Sequence, residues 1–235
     1  GVFDQCSFAK FRVQGPDAAT VLNHVSANDV DIKPGRIVYT QWLNERGGIE
    51  ADLTITRLAD DDFMVVTGAG SQVRDFNWLK RHTSKDARCI ATDVSSGFAV
   101  LGVMGPNSRT LLQRLTPDDL GNEAFPFGHS REIELGYALV RASRITYVGE
   151  LGWELYMPTE FALHVFDALF EAGADLGLKP AGMHAMNSLR IEKAYRHWGH
   201  DISEEETAVE AGLGFAVKTS KPGGFIGRDA ILRQQ

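Results

Sequence analysis

The chain reads as an α+β protein. Three observations lead there: alternating apolar and polar runs between residues 36 and 67 broken by short turns, a second strand-like group at 132–157, and helical periodicities that do not follow every strand. The strict βα alternation of a doubly wound parallel sheet is missing. Antiparallel or mixed sheets with helices packed against them are therefore expected.

Taken in order, Gly15, Pro16 and Asp17 precede Ala18, Val21, Leu22 and Val25 at helical spacing, which predicts a capped amphipathic helix ending near Asn28. Residues 36–44 and 49–58 read as strands joined by a turn at Gly47 and Gly48, with a third strand at 63–67, together an antiparallel meander. After Gly68, Ala69, Gly70 and Ser71 a helix carries Val73, Phe76 and Leu79, with Ser71 as its expected cap. Residues 98–104 are β-rich, and Asn107 reads as the N-cap of a helix presenting Leu111, Leu112 and Leu115. Two longer helices are expected at 159–176 and about 182–195, and a last strand at 211–217. Pro, Gly and acidic residues cluster at 117–128, where a boundary is possible, although nothing there resembles a flexible tether.

Composition narrows the function. With 31 acidic against 24 basic residues the net charge is -7, which argues against a surface built to neutralise phosphate backbones, so no nucleic acid partner is expected. No apolar run approaches the roughly 20 residues needed to cross a bilayer, so no membrane partner is expected and the protein reads as soluble. Cys6 and Cys89 form neither a CxxC pair nor a zinc cage, which fits a reducing compartment, the bacterial cytoplasm or the mitochondrial matrix, and not secretion. The chain starts without Met and stops just after a Gly/Pro turn, as a piece of a longer polypeptide would.

Two carboxylates stand out. From Ile49 to Thr56 the apolar side chains take the odd positions, so one strand face shows Glu50, Asp52, Thr54 and Thr56. Such a face fits a solvated strand as well as a site wall. The pattern recurs where Leu151, Trp153, Leu155 and Met157 alternate with Gly152, Glu154 and Tyr156. Two strands that each present one carboxylate, with Tyr147 nearby in sequence, suit a pocket for a nitrogen-rich ligand.

Other motifs carry less. Gly68-Ala69-Gly70 between a strand and a helix lacks the third glycine of the dinucleotide fingerprint, where Val73 stands, so a Rossmann site is rejected. His197, His200 and Asp201 have conceivable metal spacing, yet no further ligand cluster supports them and no metal is expected. Glu204 to Glu206 reads as a solvated turn.

Several segments together resemble the folate-binding part of the glycine-cleavage T-protein (aminomethyltransferase) family. They are 38–58 (VYTQWLNERGGIEADLTITRL), 101–108 (LGVMGPNS), 147–156 (YVGELGWELY), 181–192 (AGMHAMNSLRIE) and 199–210 (GHDISEEETAVE). They follow family order over most of the chain, and the wording is most similar to the folate module of FAD-dependent dimethylglycine and sarcosine dehydrogenases.

The resemblance implies a T-protein-like α+β fold with a ferredoxin-like subdomain. It places the whole of 1–235 in one folate-binding module, divisible into interleaved parts of roughly 1–50 plus 130–235 and 51–129, with the family's C-terminal β-barrel outside it. It implies tetrahydrofolate as cofactor, with Asp52 the catalytic carboxylate facing N10. Tyr39, Thr54, Val66 and Gly68 would line the folate pocket, Tyr147 and Glu154 would hold the pterin, and Tyr195 would contact its neighbourhood. The one-carbon donor would be amine-derived, and FAD would enter only through an attached or associated upstream domain.

The residue types suit that chemistry. A reduced pterin offers an amino group and a ring N–H side by side, which a carboxylate accepts bidentately. Tyrosine rings supply flat apolar cover with a polar tip. A carboxylate beside a nitrogen that gains positive charge stabilises the charge and takes the proton. One departure matters: Met186 stands where T-proteins carry an Arg, while Arg190 is retained, either near folate or as a helix salt-bridge partner. A stand-alone glycine-cleavage aminomethyltransferase and a folate-binding scaffold without turnover are the alternatives.

Overall fold

The structure, a computed structural model, describes residues 1–234. In chain order the elements are β1 (Val2–Asp4), β2 (Ala9–Gln14), α1 (Ala18–Val25), β3 (Ile37–Leu43), β4 (Ile49–Ala59), β5 (Asp62–Thr67), α2 (Gln72–Arg81), β6 (Ile90–Asp93) and β7 (Phe98–Met104). There follow α3 (Ser108–Gln113), β8 (Ser130–Leu135), β9 (Ala138–Ser143), β10 (Gly152–Pro158), α4 (Ala162–Ala172), β11 (Pro180–Ala181), α5 (Met183–Glu192) and α6 (Arg228–Gln234). Among the described residues no strand follows β11.

The chain forms two compact interleaved units. One comprises Gly1–Ser7 and Ser95–Tyr195, the other Phe8–Val94 and the chain from Arg196 onward. The division expected near residues 50 and 129 falls elsewhere. Position 50 lies inside β4, which is hydrogen-bonded to β3 on one side and β5 on the other, so the meander stays whole. Residues 117–128 lie within the first unit and are clamped there. Arg109 Nε donates to Leu120 O at 2.9 Å, Arg131 reaches Asp119 O, and Arg144 donates to Phe125 O at 2.5 Å. Backbone carbonyls held by guanidinium groups make an ordered loop, not a linker.

The first unit is a mixed six-stranded sheet in the order β11-β1-β7-β10-β9-β8, with β1 and β11 parallel and the other pairs antiparallel. One face buries Val2, Leu101, Val103, Trp153 and Leu155 against Leu111 and Leu112 of α3 and Val165 and Leu169 of α4. The opposite face carries Phe3 and Met104, which meet Val148 and Met186 of α5 in a smaller cluster. Met186 is buried in hydrocarbon, which explains why this position holds no cation here.

The second unit is an antiparallel five-stranded sheet, β3-β4-β5-β2-β6. Ala51, Leu53, Ile55, Phe63 and Val65 pack on one face with Leu22 of α1 and Leu79 of α2. The expected alternation breaks at its first step. Trp42 pairs with Ala51 but Leu43 pairs with Ile49, which leaves Glu50 as the extra residue of a β-bulge. Ile49 thereby joins Leu43, Ile202, Leu213 and Phe225 in a separate core built by the C-terminal segment.

Four local expectations are corrected. The side chains of Asp17, Ser71 and Asn107 cap no helix, although each stands at the N-cap position; Asp17 instead accepts from the Arg88 backbone N–H at 2.8 Å. Helix α1 ends at Val25 because Ser26 turns extended and bridges to Trp42. Residues 211–217 are not a strand. Gly212 is left-handed (φ 69°), and local bonds such as Leu213 N–H to Ala208 O and Ala216 N–H to Leu213 O wind the segment into a 3-10 turn. The helix expected to reach Tyr195 stops at Glu192, where Ala194 takes φ 56° and Arg190 donates to the Tyr195 carbonyl at 2.8 Å.

Candidate functional site

In the second unit the structure gathers four of the expected residues, Tyr39, Asp52, Thr54 and Val66, on one sheet surface. Tyr39 on β3 pairs with Thr54 on β4, Thr54 pairs with Val66 on β5, and Gln41 pairs with Asp52. Directly paired residues of an antiparallel sheet project to the same side, so Tyr39, Gln41, Asp52, Thr54 and Val66 share one face. Gly68 follows the end of β5 at the start of the 3-10 turn Ala69–Ser71.

Asp52 keeps some contact with solvent, yet burial pushes its carboxyl up to about 6. Hydrogen bonds from Gln41 and Tyr39 and the Arg196 guanidinium pull in the opposite direction. Gln41 Nε2 donates to Asp52 Oδ1 at 2.9 Å. The Tyr39 ring stacks with Phe215 (centroids 6.1 Å apart, planes at 26°), a residue that is itself 79% exposed. The bulged Glu50 is already engaged: Asn44 Nδ2 donates to it at 3.1 Å, Arg74 grips its carboxylate and carbonyl, and Arg74 lies 4.3 Å over the Trp198 ring. Of the two acids on this part of β4, Asp52 is the one suited to proton exchange near neutral pH.

The first unit carries the other candidates. Glu154 on β10 lies between Gly102 on β7 and Ser143 on β9. It is only 9% exposed, and burial raises its carboxyl above the usual range against the hydrogen bonds from Tyr156 and Gln5. Gln5 Nε2 donates to Oε1 at 3.1 Å, and the Tyr156 hydroxyl to Oε2 at 2.5 Å. Gly102 is required for this arrangement, since a Cβ there would stand 2.3 Å from Gln5 Oε1. Both Glu154 oxygens thus hold one donor each and retain further acceptor capacity, and Gln5 Oε1 is a buried acceptor with no partner. Phe3 pairs with Gly102, which pairs with Glu154, so the Phe3–Met104–Met186 cluster lies on the Glu154 side of the sheet. Tyr147 packs against that cluster, and its ring lies 6.3 Å from Tyr195.

Asp52 and Glu154 belong to different sheets in different units. Gln5, Gln41, Tyr156, Arg196 and Phe215 were not among the residues expected. Tyr156 was within reach, two residues from Glu154 on one strand; Gln5 was not, standing 149 positions away. The His197 and His200 rings lie 4.1 Å apart, and the His197 backbone N–H donates to Asp201 Oδ2 at 2.9 Å. Among the described residues no group of three or more His, Cys, Asp or Glu side chains is arranged to hold a metal ion, and no helix is long and apolar enough to cross a membrane.

The model of the GCVT N-terminal domain matches residues 1–221. The 4-methylaminobutanoate oxidase (formaldehyde-forming) of Paenarthrobacter nicotinovorans is 47% identical over 99% of this chain and 28% of its own length. Human mitochondrial sarcosine dehydrogenase is 39% identical over 100% of this chain and 27% of its own. The chain therefore spans little more than a quarter of these relatives. The crystal structure of the glycine cleavage system aminomethyltransferase T from Bartonella henselae superposes with a TM-score of 0.87 at 30% identity, covering 100% of this chain and 62% of that one.

Proposed function

The chain belongs to the GCVT N-terminal domain family, and from that premise we propose that it is a tetrahydrofolate-dependent one-carbon transfer module. In this reading it takes the one-carbon unit released when an amine of the dimethylglycine or sarcosine type is oxidised and yields 5,10-methylenetetrahydrofolate. The observation that carries the reading is Asp52, a carboxylate with its proton affinity raised to about 6 on a strand face shared with Tyr39, Thr54 and Val66.

The residues present suit a reduced folate. Its pterin edge is rich in N–H donors, and Glu154 with the unmet Gln5 Oε1 offers buried acceptors of matching chemistry. Tyr147 and Tyr195 supply aromatic surface beside the same apolar cluster. Tetrahydrofolate, when bound, supplies the two nitrogens that take up the one-carbon unit. Asp52 then stabilises positive charge on nitrogen and receives the proton released there, a contribution typically worth about 10²- to 10⁴-fold. Tyr39, Thr54, Val66 and Gly68 line the same side.

An oxidising flavin domain, carrying FAD, would lie outside this chain and deliver the amine-derived unit; the formaldehyde-forming oxidase among the relatives supports such a donor. The mitochondrial dehydrogenase among them suits a matrix or bacterial cytoplasmic setting. The solved aminomethyltransferase, matched over the full length of this chain, favours as second reading an aminomethyl group from the glycine cleavage system as donor.

The test is calorimetry with tetrahydrofolate together with a formaldehyde-trapping assay on the purified chain. Asp52→Ala is expected to leave binding within a few-fold and to lower transfer by about 10²-fold or more. Unchanged transfer would retire Asp52 as the catalytic residue.

A further inference from the structure

Gln41 faces Asp52 across the β3–β4 ladder, and its side chain is completely buried. Its two ends are treated differently. Nε2 donates to Asp52 Oδ1 at 2.9 Å, while Oε1, equally shut off from solvent, has no hydrogen-bond partner. A buried carboxamide is ordinarily satisfied at both ends, and a half-satisfied one kept in a core is a mark of function more than of packing. Its orientation follows from the chemistry of its neighbour. Turned over, the amide would set Oε1 against Oδ1, two oxygens at hydrogen-bond distance with no proton between them while Asp52 is ionised.

We propose that Gln41 is a positioning residue for proton transfer: its carboxamide, held in one orientation, occupies Oδ1 of Asp52 and leaves Oδ2 as the oxygen that takes the proton from the substrate nitrogen. This rests on the reading of Asp52 as proton acceptor given above. The other groups acting on Asp52 are the Tyr39 phenol from β3 and the Arg196 guanidinium from the segment after α5. The next acid along β4, Glu50, is engaged by Arg74 and Asn44. Tyr39 differs from Gln41 in kind, because a hydroxyl donates to a carboxylate and accepts from a carboxylic acid, whereas the amide end at Oδ1 only donates. Tyr39 therefore adapts to either protonation state, whereas Gln41 marks the oxygen that does not take the proton.

The experiment measures the pH profile of methylene transfer, with tetrahydrofolate and formaldehyde, for the wild-type chain, Gln41→Met, Gln41→Glu and Asp52→Asn. A carbon-13 NMR titration of the Asp52 carboxyl accompanies the first three. Gln41→Met is expected to move the acid limb of kcat and the NMR titration upward by about 1 pH unit, since a hydrogen bond to the charged form is lost. At pH 6 kcat should fall roughly fivefold, with KM for tetrahydrofolate within about twofold. Gln41→Glu, of nearly the same shape, should shift both further by placing a second carboxylate beside the first, and it carries the comparison if the Met variant does not fold. An unmoved limb and unmoved titration in Gln41→Glu or Gln41→Met, with transfer lost in Asp52→Asn, would overturn this inference alone. Transfer retained in Asp52→Asn would overturn the reading of Asp52 and this inference with it.

Discussion

Replacing Asp52 with Asn should make the protein more stable at neutral pH while removing its transfer activity. Burial raises this carboxyl from an ordinary 3.8 to about 6. Between those values the folded chain holds the proton that the unfolded chain has released. The stability contributed by the group is therefore full below about pH 4, declines as pH climbs towards 6, and stays level above that. At roughly 1.36 kcal/mol per unit, a rise of about two units sets a ceiling of about 3 kcal/mol. Asp52 keeps some solvent contact, so about 1.5 kcal/mol is the working expectation. Asn has the same shape and still accepts the Gln41 N–H through its side-chain oxygen, so the comparison isolates the charge. Urea denaturation of both proteins at half-unit steps from pH 4 to 8 measures it. The two midpoints should coincide at pH 4 and separate in favour of Asp52→Asn by pH 7. A difference that does not change with pH, or a variant less stable than wild type at pH 7, would refute the assignment of a buried, proton-hungry carboxylate.

Glu154→Gln should weaken tetrahydrofolate by about 1.5–3 kcal/mol in calorimetry if a charged hydrogen bond to the pterin is lost, and equal affinity would place the pterin elsewhere. Gly48→Ala would set a Cβ 2.0 Å from the Glu204 carbonyl oxygen, which is backbone and cannot swing aside. A loss of about 1–3 kcal/mol in urea denaturation is expected. Lys221 Nζ donates to the carbonyls of Asn23, Ser26 and Asn28 at 2.5–2.7 Å, so Lys221→Met should cost about 2 kcal/mol by leaving them unmet, and a neutral result would deny the ammonium that role.

The meander was legible because period-2 alternation at 49–58 and a glycine turn leave few alternatives to a half-buried hairpin. The face of Asp52 and Thr54 followed from the same period. The family was legible from five short segments in order along the chain. Where local spacing misled, a partner outside the window decided. The bulge at Glu50 comes from how Leu43 and Trp42 meet β4, and Asp17 bonds to Arg88, 71 positions on. The strand expected at 211–217 failed because alternation alone does not supply a neighbouring strand to hydrogen-bond with, and Gly212 is free to turn left-handed.

By itself the sequence determined the meander of β3, β4 and β5, the presentation of Asp52 and Glu154 on strands, and the family to which the chain belongs, because these depend on side-chain periodicity and on motifs read along one segment. Only the tertiary structure decided that Gln41 and Tyr39 hold Asp52, that Gln5 and Tyr156 hold Glu154, and that burial raises both acids. Proton affinity in a protein is set by what surrounds a group in space, and those surroundings include residues far away in the chain, Arg196 acting on Asp52 and Gln5 on Glu154.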